Sequence, residues 1–149
     1  MSSTKAWISA SRPKTLPFGL SPVIVGSALG LHYGHFSWAT FALCFFTALF
    51  LLFVANYAND VFDFEKGADT NKRVGPIRAV ASGDLTAQNM KLGMVLSFSF
   101  AFLFAMPVIW NEGWILALLF LLLVVVAIGY SGGPKPLAYV GFGEITNLL

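Results

Sequence analysis

Asn56-Tyr57-Ala58-Asn59-Asp60-Val61-Phe62-Asp63-Phe64-Glu65-Lys66-Gly67-Ala68-Asp69 lies where a long apolar run meets the most charged part of the chain. Residues 15–59 contain no Asp, Glu, Lys or Arg, whereas residues 60–91 hold ten of the sixteen such residues, five of each sign. So abrupt a change needs a physical cause. Working outward, two further uncharged blocks follow at 92–111 and 113–134. About 20 apolar residues suffice for a helix to cross the hydrocarbon layer of a bilayer. The sequence therefore predicts an all-α, multi-spanning transmembrane helix bundle.

Composition agrees. Of 149 residues, 57% are hydrophobic and 11% charged, where soluble domains carry about 25% charged residues. A net charge of +2 is too small for a nucleic-acid-binding surface. The single Cys44 excludes an internal disulfide, and His32 and His35 fall in a short polar break that suits a membrane interface. Pro17 and Pro22 interrupt the first apolar stretch and argue against a cleaved leader.

Four spans are predicted, at about residues 16–31, 36–58, 86–110 and 114–130, with a long loop over 60–85 and a fifth apolar helix beginning after Gly141. Thr86 is placed as N-cap of the third span, with Leu85 and Met90 as a hydrophobic staple. Eight of the nine basic residues fall in the N-terminal segment, the long loop and the segment after span four, and the ninth, Lys91, lies near the start of span three on the same side. The positive-inside rule then puts the N-terminus and the long loop in the cytoplasm, with Trp38, Trp110 and Trp114 at the opposite interface.

Asn56, Asn59, Asp60 and Asp63 recur at i, i+3, i+4 and i+7, so a helix would put them on one face. Carboxylates this close at the end of an apolar helix are costly without a cation. Oxygen-only ligands suit Mg²⁺, which keeps several waters and commonly bridges to phosphates. Asp69 could be brought back by a turn at Gly67. A calcium loop does not fit, because the glycine is misplaced and the closing Glu is missing. Lys66, Lys72, Arg73 and Arg78 follow, and Arg suits bidentate contact with phosphate oxygens. Together these residues suggest a metal and diphosphate site at a membrane surface. Lys5, Asp84, Lys91 and Glu112 read more simply as solvated residues bordering spans.

At these positions the chain resembles the UbiA superfamily of intramembrane prenyltransferases. Asn59-Asp60-x-x-Asp63 is similar to that family's first aspartate-rich motif, though Gly67 stands where the common form has a further Asp. Arg12-Pro13-Lys14-Thr15, Gly75-Pro76-Ile77-Arg78, and Gly132-Gly133-Pro134-Lys135-Pro136 through Gly141-Phe142-Gly143-Glu144 resemble the family's menaquinone branch. The resemblance implies Mg²⁺-dependent transfer of a polyprenyl group from polyprenyl diphosphate to 1,4-dihydroxy-2-naphthoate, with decarboxylation. By the match, Asn59, Asp60 and Asp63 would be catalytic metal ligands, directly or through water, and Asp69 would assist in holding the metal. Lys66, Arg73 and Arg78 would grip the diphosphate, Arg12 and Lys14 would face the same cavity, and the membrane would be a bacterial-type inner one. It also implies about nine spans, so residues 1–149 read as a single region equivalent to the N-terminal half of a UbiA-type fold, partnered by a C-terminal half. Homogentisate or 4-hydroxybenzoate as acceptor, a non-catalytic membrane subunit and a small ion-coupled transporter are the competing readings. A transporter would place ionisable groups at mid-membrane depth, whereas these spans carry none.

Overall fold

The computed structural model describes residues 3–69 and 77–141. Among the described residues five helices follow in order: α1 (Ser3–Ala10), α2 (Leu16–His32), α3 (Trp38–Glu65), α4 (Ala87–Glu112) and α5 (Trp114–Gly129). A single 3₁₀ turn, Leu137–Tyr139, comes after them. No strand occurs among the described residues.

The helix limits follow from local chemistry. Ser37 and Thr86 cap α3 and α4, each hydroxyl accepting from the amide three residues on, Thr40 at 3.3 Å and Asn89 at 3.1 Å. Leu85 and Met90 flank the second cap and are both buried, as a hydrophobic staple requires. Helix α3 stops at Gly67, whose φ of 67° is left-handed. There the Ala68 amide reaches the Asp63 carbonyl and the Gly67 amide reaches that of Phe64, a Schellman closure.

Two expectations are corrected. The second span was placed over residues 36–58 with a loop from Asp60, but α3 continues to Glu65. Val61 is fully buried and Phe62 packs against the core, so the helical period of apolar contacts outlasts the apolar composition. At about 1.5 Å per residue, α3 spans roughly 42 Å against a hydrocarbon core of about 30 Å. The acidic turns therefore extend past the apolar layer while remaining helical. The second correction concerns the basic N-terminal segment, which was assigned no helix; within it Ser3–Ala10 form α1, which buries Ala6 and Ala10.

Helices α3 and α4 are long and apolar enough to cross a membrane, while α2 and α5 are apolar but shorter. Helix α3 packs chiefly on α4, with α2 and α5 alongside. Phe50 stacks on Phe100 and Phe46 on Phe104, each with ring centroids 5.1 Å apart. The spans expose apolar side chains such as Leu103, Leu118 and Leu122, as hydrocarbon-facing helices do. The protein-like core sits at the charged end instead. It joins α1, the last turns of α3, residues 79–85 and the start of α4 through Ala6, Tyr57, Val61, Val80 and Met90.

Gly93 keeps α1 docked on that core. A Cβ there would lie 2.5 Å from the Trp7 ring, which meets Tyr57 edge-on at 5.5 Å. Gly93→Ala is expected to displace Trp7 and to cost about 1–3 kcal/mol of stability. In a background retaining Trp7 alone, the emission should shift to the red. Unchanged emission and melting temperature would show that the ring accommodates the methyl group freely.

Candidate active site

The last three turns of α3 present Asn56, Asn59, Asp60 and Asp63 inward, and each has a hydrogen-bond partner. Asn56 Nδ2 donates to the Ser11 carbonyl at 2.9 Å, tying the α1–α2 turn to α3. Asn59 Oδ1 accepts from the Ser131 hydroxyl at 2.7 Å. Asp60 is buried, and its two oxygens accept from the backbone amides of Ala79 and Val80, each at 3.1 Å. Asp63 Oδ1 accepts from the Tyr139 hydroxyl at 2.7 Å, and its Oδ2 is paired with Arg78.

Arg78 is the electrostatic centre. Its Nη1 donates both to the Asn59 carbonyl and to Asp63 Oδ2, and its Nε lies 3.5 Å from Asp69 Oδ1. The side chains of Arg78, Asp63 and Asp69 are only 10%, 13% and 5% exposed. One guanidinium thus faces two nearly buried carboxylates, which would otherwise repel. Asp69 is drawn in beyond the Gly67 turn, as the sequence suggested.

Lys66 sits differently. Its ammonium donates to the carbonyls of Ser131 at 2.5 Å and Gly133 at 3.0 Å, and lies 5.8 Å from the Tyr139 ring centre. It braces the segment after α5. Arg12 lies in the turn next to Ser11 and holds a φ of 53°, a left-handed conformation uncommon for a side chain of this size. Its carbonyl accepts from both the amide and the hydroxyl of Thr15. Lys14, in the same turn, is exposed. Arg73, with Lys72, Gly75 and Pro76, lies outside the described residues, as does Glu144.

Sequence reasoning missed Ser131 and Tyr139, which contribute hydroxyls to Asn59 and Asp63. Ser131 follows the end of a hydrophobic helix, where a hydroxyl usually satisfies its own backbone. Tyr139 is 76 positions from Asp63, and no spacing rule connects them. Partial burial, and then the hydrogen bond to and charge of Asp63, push the Tyr139 phenol up to about 12. It therefore remains a neutral donor through the physiological range, and its bond to Asp63 is lost as the pH rises through that value.

Among the described residues no three Asp, Glu, His or Cys side chains gather in a metal-holding group. The donor chemistry nevertheless suits a hard ion. Asn59 and Asp63 are one turn apart, offer only oxygen and lie beside a phosphate-type cation in Arg78. Mg²⁺ usually takes one or two carboxylates and completes its shell with water and substrate phosphates.

The fold and the site thus define a membrane-type helical protein whose acidic residues and Arg78 gather at one end of a membrane-length helix. Sequence comparison makes the class specific: the profile of the UbiA prenyltransferase family matches residues 19–149, and the chain belongs to that family. It is an integral membrane protein. It is 36% identical to the 1,4-dihydroxy-2-naphthoate octaprenyltransferase of Haemophilus influenzae over 97% of this chain and 50% of that protein. The enzyme of that name from Escherichia coli is also 36% identical, over 100% of this chain and 50% of its own length. A more distant relative is the 2-carboxy-1,4-naphthoquinone phytyltransferase of Synechocystis, 26% identical over 97% of this chain and 47% of its own. The chain thus spans about half the length of the curated relatives it matches. No solved structure matches it.

Proposed function

We propose that the chain carries the diphosphate-binding part of a membrane prenyltransferase that moves a polyprenyl group from polyprenyl diphosphate to 1,4-dihydroxy-2-naphthoate. The observation that carries this reading is the juxtaposition of Asn59, Asp63 and Arg78 at the membrane-edge end of α3. The identity to naphthoate octaprenyltransferases supports the choice of acceptor.

Asn59 and Asp63 would hold Mg²⁺, which when bound supplies positive charge to the departing diphosphate. Arg78 contacts the diphosphate oxygens and stabilises the charge that develops as the allylic C–O bond breaks and its electron pair leaves with diphosphate. The ring carbon that bears the carboxylate then attacks the allylic cation, and the carboxylate leaves that carbon as carbon dioxide, its bonding pair returning to the ring to restore aromaticity. Ser131 and Tyr139 keep Asn59 and Asp63 oriented through these steps. The remaining part of the site falls to the sequence corresponding to the relatives' other half. The cation distribution supports a cytoplasmic N-terminus in a bacterial inner membrane, with the diphosphate entering from that side.

Asp63→Ala and Asn59→Ala in the full-length protein should each lower prenyl transfer by about 100-fold or more. Membrane insertion and expression should be unchanged. The assay supplies a labelled prenyl diphosphate with dihydroxynaphthoate, homogentisate or 4-hydroxybenzoate. Transfer retained in both variants would remove the site from catalysis, and preference for another ring would change the acceptor.

A further inference from the structure

On a helix of 3.6 residues per turn, Asn59 and Asp63 point about 40° apart, while Asp60 points about 100° from Asn59. The motif's adjacent Asn and Asp therefore face different surroundings. Asp60 is 3% exposed. Its two oxygens are engaged by consecutive amides, Ala79 and Val80, at 3.1 Å each. Those amides begin a helical turn closed by the Ser82 amide on the Arg78 carbonyl at 2.9 Å and the Leu85 amide on that of Ala79 at 3.1 Å. The first amides of such a turn have no partner within it. A carboxylate there satisfies both and complements their positive dipoles. Arg78 immediately precedes this pair, and its side chain returns to Asn59 and Asp63.

We propose that Asp60 is a positioning residue: its carboxylate clamps the turn that begins at Ala79 and thereby aims Arg78 at the space beside Asn59 and Asp63, and it holds no cation itself. This assignment rests on the diphosphate reading above. It separates two acidic residues that the linear motif presents as equivalents. Asp60 faces the core that holds Ala79 and Val80 and is 3% exposed, so a hydrated cation has no room beside it, whereas Asp63 lies next to Arg78 and Tyr139 at a more open edge. The clamp also explains how Arg78, 15 positions beyond Asp63, is held in register with α3.

The test uses the full-length protein in lipid nanodiscs, with Mn²⁺ binding followed by paramagnetic resonance and inorganic pyrophosphate binding by calorimetry. Asp63→Asn should weaken Mn²⁺ by about tenfold or more, and Asp60→Asn by less than about threefold. Asp60→Asn should instead weaken pyrophosphate about as much as Arg78→Ala does, on the order of tenfold. Combining the two should add little, since both remove one contact. A loss of Mn²⁺ affinity in Asp60→Asn equal to that in Asp63→Asn would overturn the proposal. Hydrogen exchange of the unmodified protein gives a second reading that needs no variant. The amides of Ala79 and Val80 should keep their protection when Mg²⁺ and pyrophosphate are added, and faster exchange there would equally overturn the clamp. Unmodified protein that takes up neither Mn²⁺ nor pyrophosphate would sink the diphosphate reading and, with it, the role of Arg78 that the clamp serves.

Discussion

Arg78→Ala is expected to destabilise the charged end of the protein by about 3–5 kcal/mol, the cost of leaving a buried charge uncompensated. The guanidinium lies between Asp63 and Asp69 and also caps the Asn59 carbonyl. Its removal takes the cation from Asp63, whose side chain is 13% exposed and keeps only the neutral Tyr139 hydroxyl as a side-chain partner, and withdraws the guanidinium from beside Asp69. Arg78→Lys should recover part of the loss only, because a single ammonium cannot match the planar fork that meets Asn59, Asp63 and Asp69 together. Asp63→Asn in the Arg78→Ala background should recover more, since it removes the repulsion itself. Thermal unfolding in detergent separates the cases. A melting temperature for Arg78→Ala within a degree or two of the unmodified protein would show that water or lipid head groups already screen these carboxylates.

Gly132→Ala is expected to cost about 1–3 kcal/mol and to detach the segment after α5 from α3. A Cβ at Gly132 would stand 2.6 Å from the Ile128 carbonyl oxygen and 3.0 Å from the Phe62 ring. The oxygen belongs to the helix backbone and accepts from the Gly132 amide itself at 2.8 Å, so neither can retreat without breaking that bond. The displaced segment carries the Ser131 hydroxyl away from Asn59 and its carbonyl away from Lys66. Gly133→Ala provides the contrast. Its φ is 79° and nothing lies within 4 Å of the added methyl, so its penalty is conformational alone. That penalty is about 1–2 kcal/mol. If the hydroxyl contacts matter, Gly132→Ala should impair prenyl transfer more than Gly133→Ala at matched stability. Equal activities would mean that Ser131 contributes nothing through Asn59.

Much of this architecture was legible in the chain. Long uncharged blocks identified the apolar helices because hydrocarbon tolerates little else. Thr86 and its staple marked the start of α4 because an N-cap is a local device. Gly67 was read as a turn, and it is where α3 ends. The limit of α3 was misjudged because charge was taken to end the helix as well as the span. Charges end a span, since they leave hydrocarbon, but they do not end a helix whose inner face remains packed. Helix α1 was missed for a related reason. Eight residues have little helical stability alone, and only docking through Ala6, Trp7 and Ala10 holds them.

By itself the sequence determined that this is a helical membrane protein with acidic and basic groups gathered at one boundary of its second span. Hydrophobicity, helical period and caps act over a few residues and can be read in order along the chain. Only the tertiary structure decided which acid meets which cation. Asp60 turns to the amides of Ala79 and Val80 while Asp63 turns to Arg78 and Tyr139, and α5 returns a serine to Asn59. Those pairings join residues far apart along the chain, and their geometry depends on how α3, α5 and the connecting turns pack, which no local pattern encodes.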